Sequence, residues 1–141
     1  MNINFNLPTL LFISMTIGLM ACEQADGPSR NRITGTVQFD GKPIPYGEIK
    51  FTPDAKNGGS GPQGQAMIVD GKFDTAELKK GPTSGPHIIE ISGYDGVPNE
   101  EMGKWGAPLF FPYKTELSIE NENSHLDLKV PPGPKPELPP L

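Results

Sequence analysis

The sequence predicts an all-β fold: a single antiparallel seven-strand β-sandwich that follows an N-terminal signal segment. Three observations carry this. Apolar residues alternate with period two through most of residues 31–130, which is the pattern of half-buried strands. No stretch in that region shows the i, i+3, i+4 apolar spacing of a helix. Gly and Pro, 17 of each in 141 residues, fall mostly between the apolar runs, where they read as turn punctuation.

The strands follow in order. In RITGTVQF, Ile33, Gly35, Val37 and Phe39 share a face opposite Arg32, Thr34, Thr36 and Gln38. DGKPIPYG (40–47) reads as a turn segment with two prolines, and EIKFT then places Ile49 and Phe51 inward. DAKNGGSGPQG (54–64) is a surface loop. QAMIV and KFDT are separated by Asp70-Gly71 alone, a two-residue hairpin signal. HIIEIS puts Ile89 and Ile91 on one face. TELSIE and HLDLKV, joined by the polar NENS, read as a closing hairpin with Leu117, Ile119, Leu126, Leu128 and Val130 inward.

Composition narrows the function classes. The length suits one domain plus short extensions. A single cysteine, Cys22, excludes an internal disulfide framework. The net charge of −5 comes from dispersed acids, and no Lys/Arg cluster appears along the chain. Nucleic acid is therefore not an expected partner, and the sequence gives no reason to expect electrostatic attachment to an anionic membrane surface.

Residues 1–21 carry no charged side chain, and Leu7–Met20 (LPTLLFISMTIGLM) has the length of a signal-peptide apolar region. Leu19-Met20-Ala21-Cys22 resembles a bacterial lipobox, with a small Ala before the scissile bond and a thiol to accept the lipid. The resemblance implies a signal peptide over 1–21, cleavage between Ala21 and Cys22, and lipidation of Cys22. Several acyl chains on one residue anchor a protein stably to a membrane. The opening MNINFN lacks the usual Lys or Arg, and the competing readings are an uncleaved membrane span and a buried structural helix. Asn4, Asn6, Pro8, Thr9, Ser14 and Thr16 make a poor span. Residues 22–30 form a polar tether, in which the eight residues after Cys22 reach at most about 28 Å. The expected location is the cell envelope, with the domain in the periplasm or at the cell surface. Glu23, where some bacteria place an inner-membrane-retaining Asp, favours the outer membrane.

ITGTVQFDGKPIPYGEIKFTP (33–53) resembles the opening of carboxypeptidase regulatory-like, transthyretin-like or Ig-like β-sandwiches. MIVDGKFDT and GPHIIEISG resemble their next hairpin and strand, although Gly85-Pro86-His87 stands where the family usually has Pro-Gly-Lys. The order of lipobox, spacer, domain and PYKTELSIE is similar to a group of small bacterial lipoproteins. The resemblance covers roughly residues 31–130 and implies a non-catalytic domain.

The chemistry-bearing candidates are few. His87-x-x-Glu90 matches the His-x-x-Glu of zinc carboxypeptidases, but residues i and i+3 of a strand face opposite ways. His125 and Asp127 share a face, and the expected closing hairpin would set them beside Glu116, Ser118 and Glu120 as a weak cation patch. The terminal Tyr-Arg-Gly-Ser of hydroxyisourate hydrolases, a nucleophile elbow and a phosphate loop are all missing. The reading is of a protein that is not an enzyme and takes no metal or cofactor, with a small hydrolase using His87 or His125 as the alternative. Tyr94–Lys114 is a long loop rich in aromatics, and Tyr94, Trp105, Phe110 and Tyr113 are its candidate ligand-binding residues. They form either a stacking platform for a glycan or peptide, or a plug for the end of the sandwich. The expected partners are the membrane, through the lipid, and an envelope protein or glycan. The tail, 131–141, has six prolines and is expected to be extended and disordered.

Overall fold

The computed structural model describes residues 27–120 and 124–136, so the predicted signal peptide, Ala21, Cys22 and the tail beyond Pro136 lie outside the described residues. The all-β class expected from the sequence is what the structure shows. Among the described residues eight strands form: β1 Ile33–Phe39, β2 Lys42–Pro43, β3 Tyr46–Pro53, β4 Gly64–Val69, β5 Lys72–Asp74, β6 Gly85–Tyr94, β7 Tyr113–Ile119 and β8 Ser124–Val130. All seven expected strands are present, and the extra one, β2, is a two-residue piece inside the expected turn segment. Asp40-Gly41 and Asp70-Gly71 both have positive φ at each central residue, the signature of type I′ hairpin turns.

The strands make one curled sheet in the order β2-β1-β5-β4-β3-β6-β7, with β8 on the other side of β1. Seven pairs, from Ile33↔Ser124 to Phe39↔Val130, make β1 and β8 parallel; the other pairings are antiparallel. The expected closing hairpin is therefore not formed. Among the described strands β7 pairs with β6 and β8 with β1, at opposite edges of the sheet. Alternation specifies which face of a strand is buried but says nothing about its neighbour. Only five residue steps separate Ile119 from Ser124, at most about 18 Å of chain. The edges can be that close only because the sheet curls over its apolar face.

That face holds the core. Ile33, Val37, Ile49, Phe51, Ile68, Ile89, Ile91 and Ile119 are buried from both halves of the curl, in the positions that alternation assigns inward. Registers define two ends. The base contains Ile33, Pro53, His87 and Ile119, and the tip contains Phe39, Tyr46, Val69, Tyr94 and Val130. At the tip Gly47 and Gly93 are cross-strand partners, and the space Gly93 leaves is filled from above. A Cβ on Gly93 would stand 2.7 Å from the Phe110 ring. Phe110 is buried there, with its ring centroid 4.8 Å from that of Phe39.

Gly93→Ala should cost about 1–3 kcal/mol, the usual range for overpacking. Phe110→Ala should cost about 3–5 kcal/mol as a buried aromatic truncation. In urea titrations the double variant should be less destabilised than the sum, because removing Phe110 frees the space the new methyl needs.

Candidate functional site

The connection between β6 and β7, residues 95–112, is held in shape by its own polar side chains. The Asp95 carboxylate accepts from the backbone N–H of Val97 at 2.9 Å and of Ala107 at 3.1 Å. Asn99 Oδ1 accepts from the N–H groups of Glu101 and Met102, and Asn99 and Gly103 exchange backbone hydrogen bonds at the turn. Such side-chain acceptors fix Asx turns locally. Gly106, at φ 81°, sits against Asp95, where any Cβ would collide with the carboxylate.

This loop straddles the tip end of strands β3 and β6. Phe110 goes to the inner face, over Gly93. Trp105 goes to the outer face and lies on the cross-strand pair Tyr46 and Tyr94, with ring centroids 5.6 and 5.4 Å away. The Lys104 ammonium lies 5.8 Å from the centre of the Trp105 ring, within cation–π range. The indole Nε1 is buried and has no hydrogen-bond partner among the described residues. Of the four residues expected to form one ligand surface, only Tyr94 and Trp105 meet. Phe110 is core, and Tyr113 is half-buried against the core on the inner face of β7. Phe110 thus takes the plugging position, while Trp105 lies half-buried on the outer face. Tyr46 completes the platform, and only the register of β3 on β6 reveals it.

Below the platform the outer face is polar and paired. Glu48 meets Lys50 at 2.9 Å, Glu90 meets Lys114 at 3.0 Å, and Gln65 donates to Glu48. The hydrogen bond from Lys50 to Glu48 raises the lysine's pKa above its ordinary value. Beside the platform the tip also has a hollow of about 280 Å³ with an apolar floor of Phe39, Pro43, Pro45 and Leu109. Phe111 and Val97, which are 58% and 62% exposed, belong to the same loop.

The histidines do not converge with other groups. His87 is buried at the base, and its Nδ1 lies 2.9 Å from the Gly85 carbonyl, so Nδ1 carries the proton. Its Nε2 is enclosed without a partner, while Glu90 faces out. His125 and Asp127 are side by side, with Nε2 3.3 Å from Oδ1. Their neighbours are Thr34 and Thr36 of β1, because the hairpin that would have supplied Glu116, Ser118 and Glu120 is absent. The hydroxyl of Thr36 donates to Asp127 at 2.6 Å and holds its carboxyl below the usual range. Among the described residues no three His, Cys, Asp or Glu side chains are placed to hold a metal ion. No helix among them is long and apolar enough to cross a membrane. No known family, curated protein or solved structure matches the chain.

At the base, Arg32 donates from Nε and Nη2 to the Asp74 carboxylate across the β1–β5 pair. That hydrogen bond lowers the Asp74 pKa and raises that of Arg32, and the N–H of Ala76 adds a second bond to Asp74. A carboxyl depressed in the folded state stabilises the fold above its unfolded value, and the contribution disappears as pH falls through the lowered one. Asp74→Asn should therefore be less stable than the parent at pH 7. The gap in urea midpoint should narrow as pH falls through the parent carboxyl's lowered pKa.

Proposed function

We propose that the protein is a lipid-anchored, non-catalytic binding module of the bacterial cell envelope, of the carboxypeptidase regulatory-like lipoprotein kind. In this reading Cys22 carries the lipid and the tip of the domain carries the contact surface. One observation carries the reading: the chain enters the fold at the base, whereas the aromatic loop, with its exposed Phe111 and Val97, lies at the tip. Asn31 and Ile33 belong to the base. Trp105 with Tyr46 and Tyr94, the Phe39–Leu109 hollow, Phe111 and Val97 belong to the tip. A lipid on Cys22 holds the base towards the bilayer and turns the tip away from it. Leu19-Met20-Ala21-Cys22 supports the anchor, and Glu23 supports the outer membrane.

The Trp105 platform also favours a narrower reading, in which the tip binds a carbohydrate. A tryptophan on two tyrosines at the edge of a polar face offers apolar surface for stacking beside hydrogen-bonding side chains. On a glycan array Trp105→Ala should lose bound signal by roughly tenfold or more, the loss expected at an aromatic hot spot. Unchanged signal in that variant, or no glycan bound by the parent, leaves the general module and rejects the carbohydrate reading.

The anchor has its own test. Terminal-peptide mass spectrometry should find the mature chain beginning at a mass-shifted Cys22. Cys22→Ser should leave the precursor uncleaved, with an unchanged melting temperature because no disulfide is lost. An unmodified Cys22 still preceded by residues 1–21 would sink the anchor.

A further inference from the structure

Arg30 and Arg32 are far in sequence from Lys79, and the fold brings all three to one cavity. This hollow, about 270 Å³ in volume, lies at the base and is lined by Arg30, Asn31, Arg32, Thr75, Ala76, Lys79 and Gly81. Among the described residues no carboxylate lines it. Asp74 pairs with Arg32 from outside the lining, which leaves Arg30 and Lys79 as the uncompensated charges. Arg30 is held in place, with Nη1 donating to the Gly81 carbonyl at 2.8 Å. Lys79 is presented by a tight turn, in which its N–H bonds to Ala76 O at 3.0 Å and Lys80 N–H bonds to Thr75 O at 3.2 Å. Its own φ is 54°, a conformation uncommon outside glycine and one that is kept here by the surrounding turn. The ammonium of Lys79 has no ion pair among the described residues.

We propose that this cavity binds the phosphate of an anionic phospholipid headgroup. The Arg30 guanidinium and the Lys79 ammonium on one concave surface match the oxygens of a phosphate, which a planar Arg group engages in pairs. The lipid, rather than free phosphate, follows from position, and this step rests on the anchor at Cys22 proposed above. Eight residues separate Cys22 from Arg30, so the cavity stays within at most about 28 Å of the lipidated residue. The domain as a whole is acidic, with a net charge of −5 for the chain. A headgroup held in this cavity keeps the base towards the bilayer, which orients the domain as well as holding it.

Native mass spectrometry of the full chain in neutral detergent tests this, with phosphatidylglycerol, phosphatidylcholine and inorganic phosphate as separate probes. Phosphatidylglycerol should be retained in preference to phosphatidylcholine. Each of Arg30→Gln and Lys79→Gln should weaken that retention about fivefold, the worth of one basic residue at an anionic surface. Lys42→Gln, at the tip, should leave it unchanged. The Lys79 variant removes only a solvent-facing ammonium, so it keeps the test valid if the Arg30 variant folds poorly. Equal retention of both lipids, or unchanged retention in the Lys79 variant, overturns the proposal. Inorganic phosphate that binds as tightly as the lipid overturns the lipid assignment. The same spectra report the mass at Cys22, so a failed anchor and a failed headgroup site are read separately.

Discussion

The short passage from β7 to β8 constrains everything else in this fold. It joins the two opposite edges of one sheet through a few residues, so the sheet has to bend until those ends of its edges come within that reach. Bending brings the apolar faces of β1 and β5 over those of β3, β4 and β6, and a single layer then encloses a core as two packed sheets would. Tyr113, Leu117, Leu126 and Leu128, on the inward positions of the two edge strands, stay only partly buried because no strand covers them from beyond the edge. Glycines relieve crowding in the curve. At Gly35 a side chain would collide with the Leu126 carbonyl and the Phe73 ring, so the close approach of β8 and β5 to β1 depends on its absence.

Much of this architecture was legible from local pattern. The inward residues of β1, β3, β6, β7 and β8 follow from alternation, since burial of one face leaves the same period-two trace in any sheet. Asp70-Gly71 was legible as a hairpin because only a few residues tolerate positive φ twice in succession. The same chemistry stood at Asp40-Gly41, where the following prolines made the segment read as a plain turn. Strand partnership was not legible. NENS looks like a hairpin turn because a polar link of that length serves a hairpin and an arch between sheet edges equally well.

The candidate sites were less legible because they are products of register. Trp105 and Tyr94 were found as aromatics in a long loop, but Tyr46 joins them only through its pairing with Tyr94. Phe110 and Tyr113 looked equivalent to Trp105 in composition and were separated by which side of the sheet the chain passes. The basic cavity left no trace in the sequence. Its cations are spread over two segments about fifty residues apart, and an acidic total charge conceals them. A statement about charge clusters drawn from sequence spacing is a statement about neighbours along the chain, and folding replaces those neighbours.

The parallel pairing of β1 with β8 has a mechanical consequence. The chain enters β1 at the base and leaves β8 at the tip, so a pull between the two ends runs along both strands. In that direction the rungs of the ladder between them slide against the load together and cannot open one at a time, as the rungs of a hairpin pulled apart at its open end do. The terminal strands are thus fastened where tension would fall. A domain held to a bilayer at one end and by a partner at the other would bear that tension through its strongest arrangement of bonds, without a disulfide.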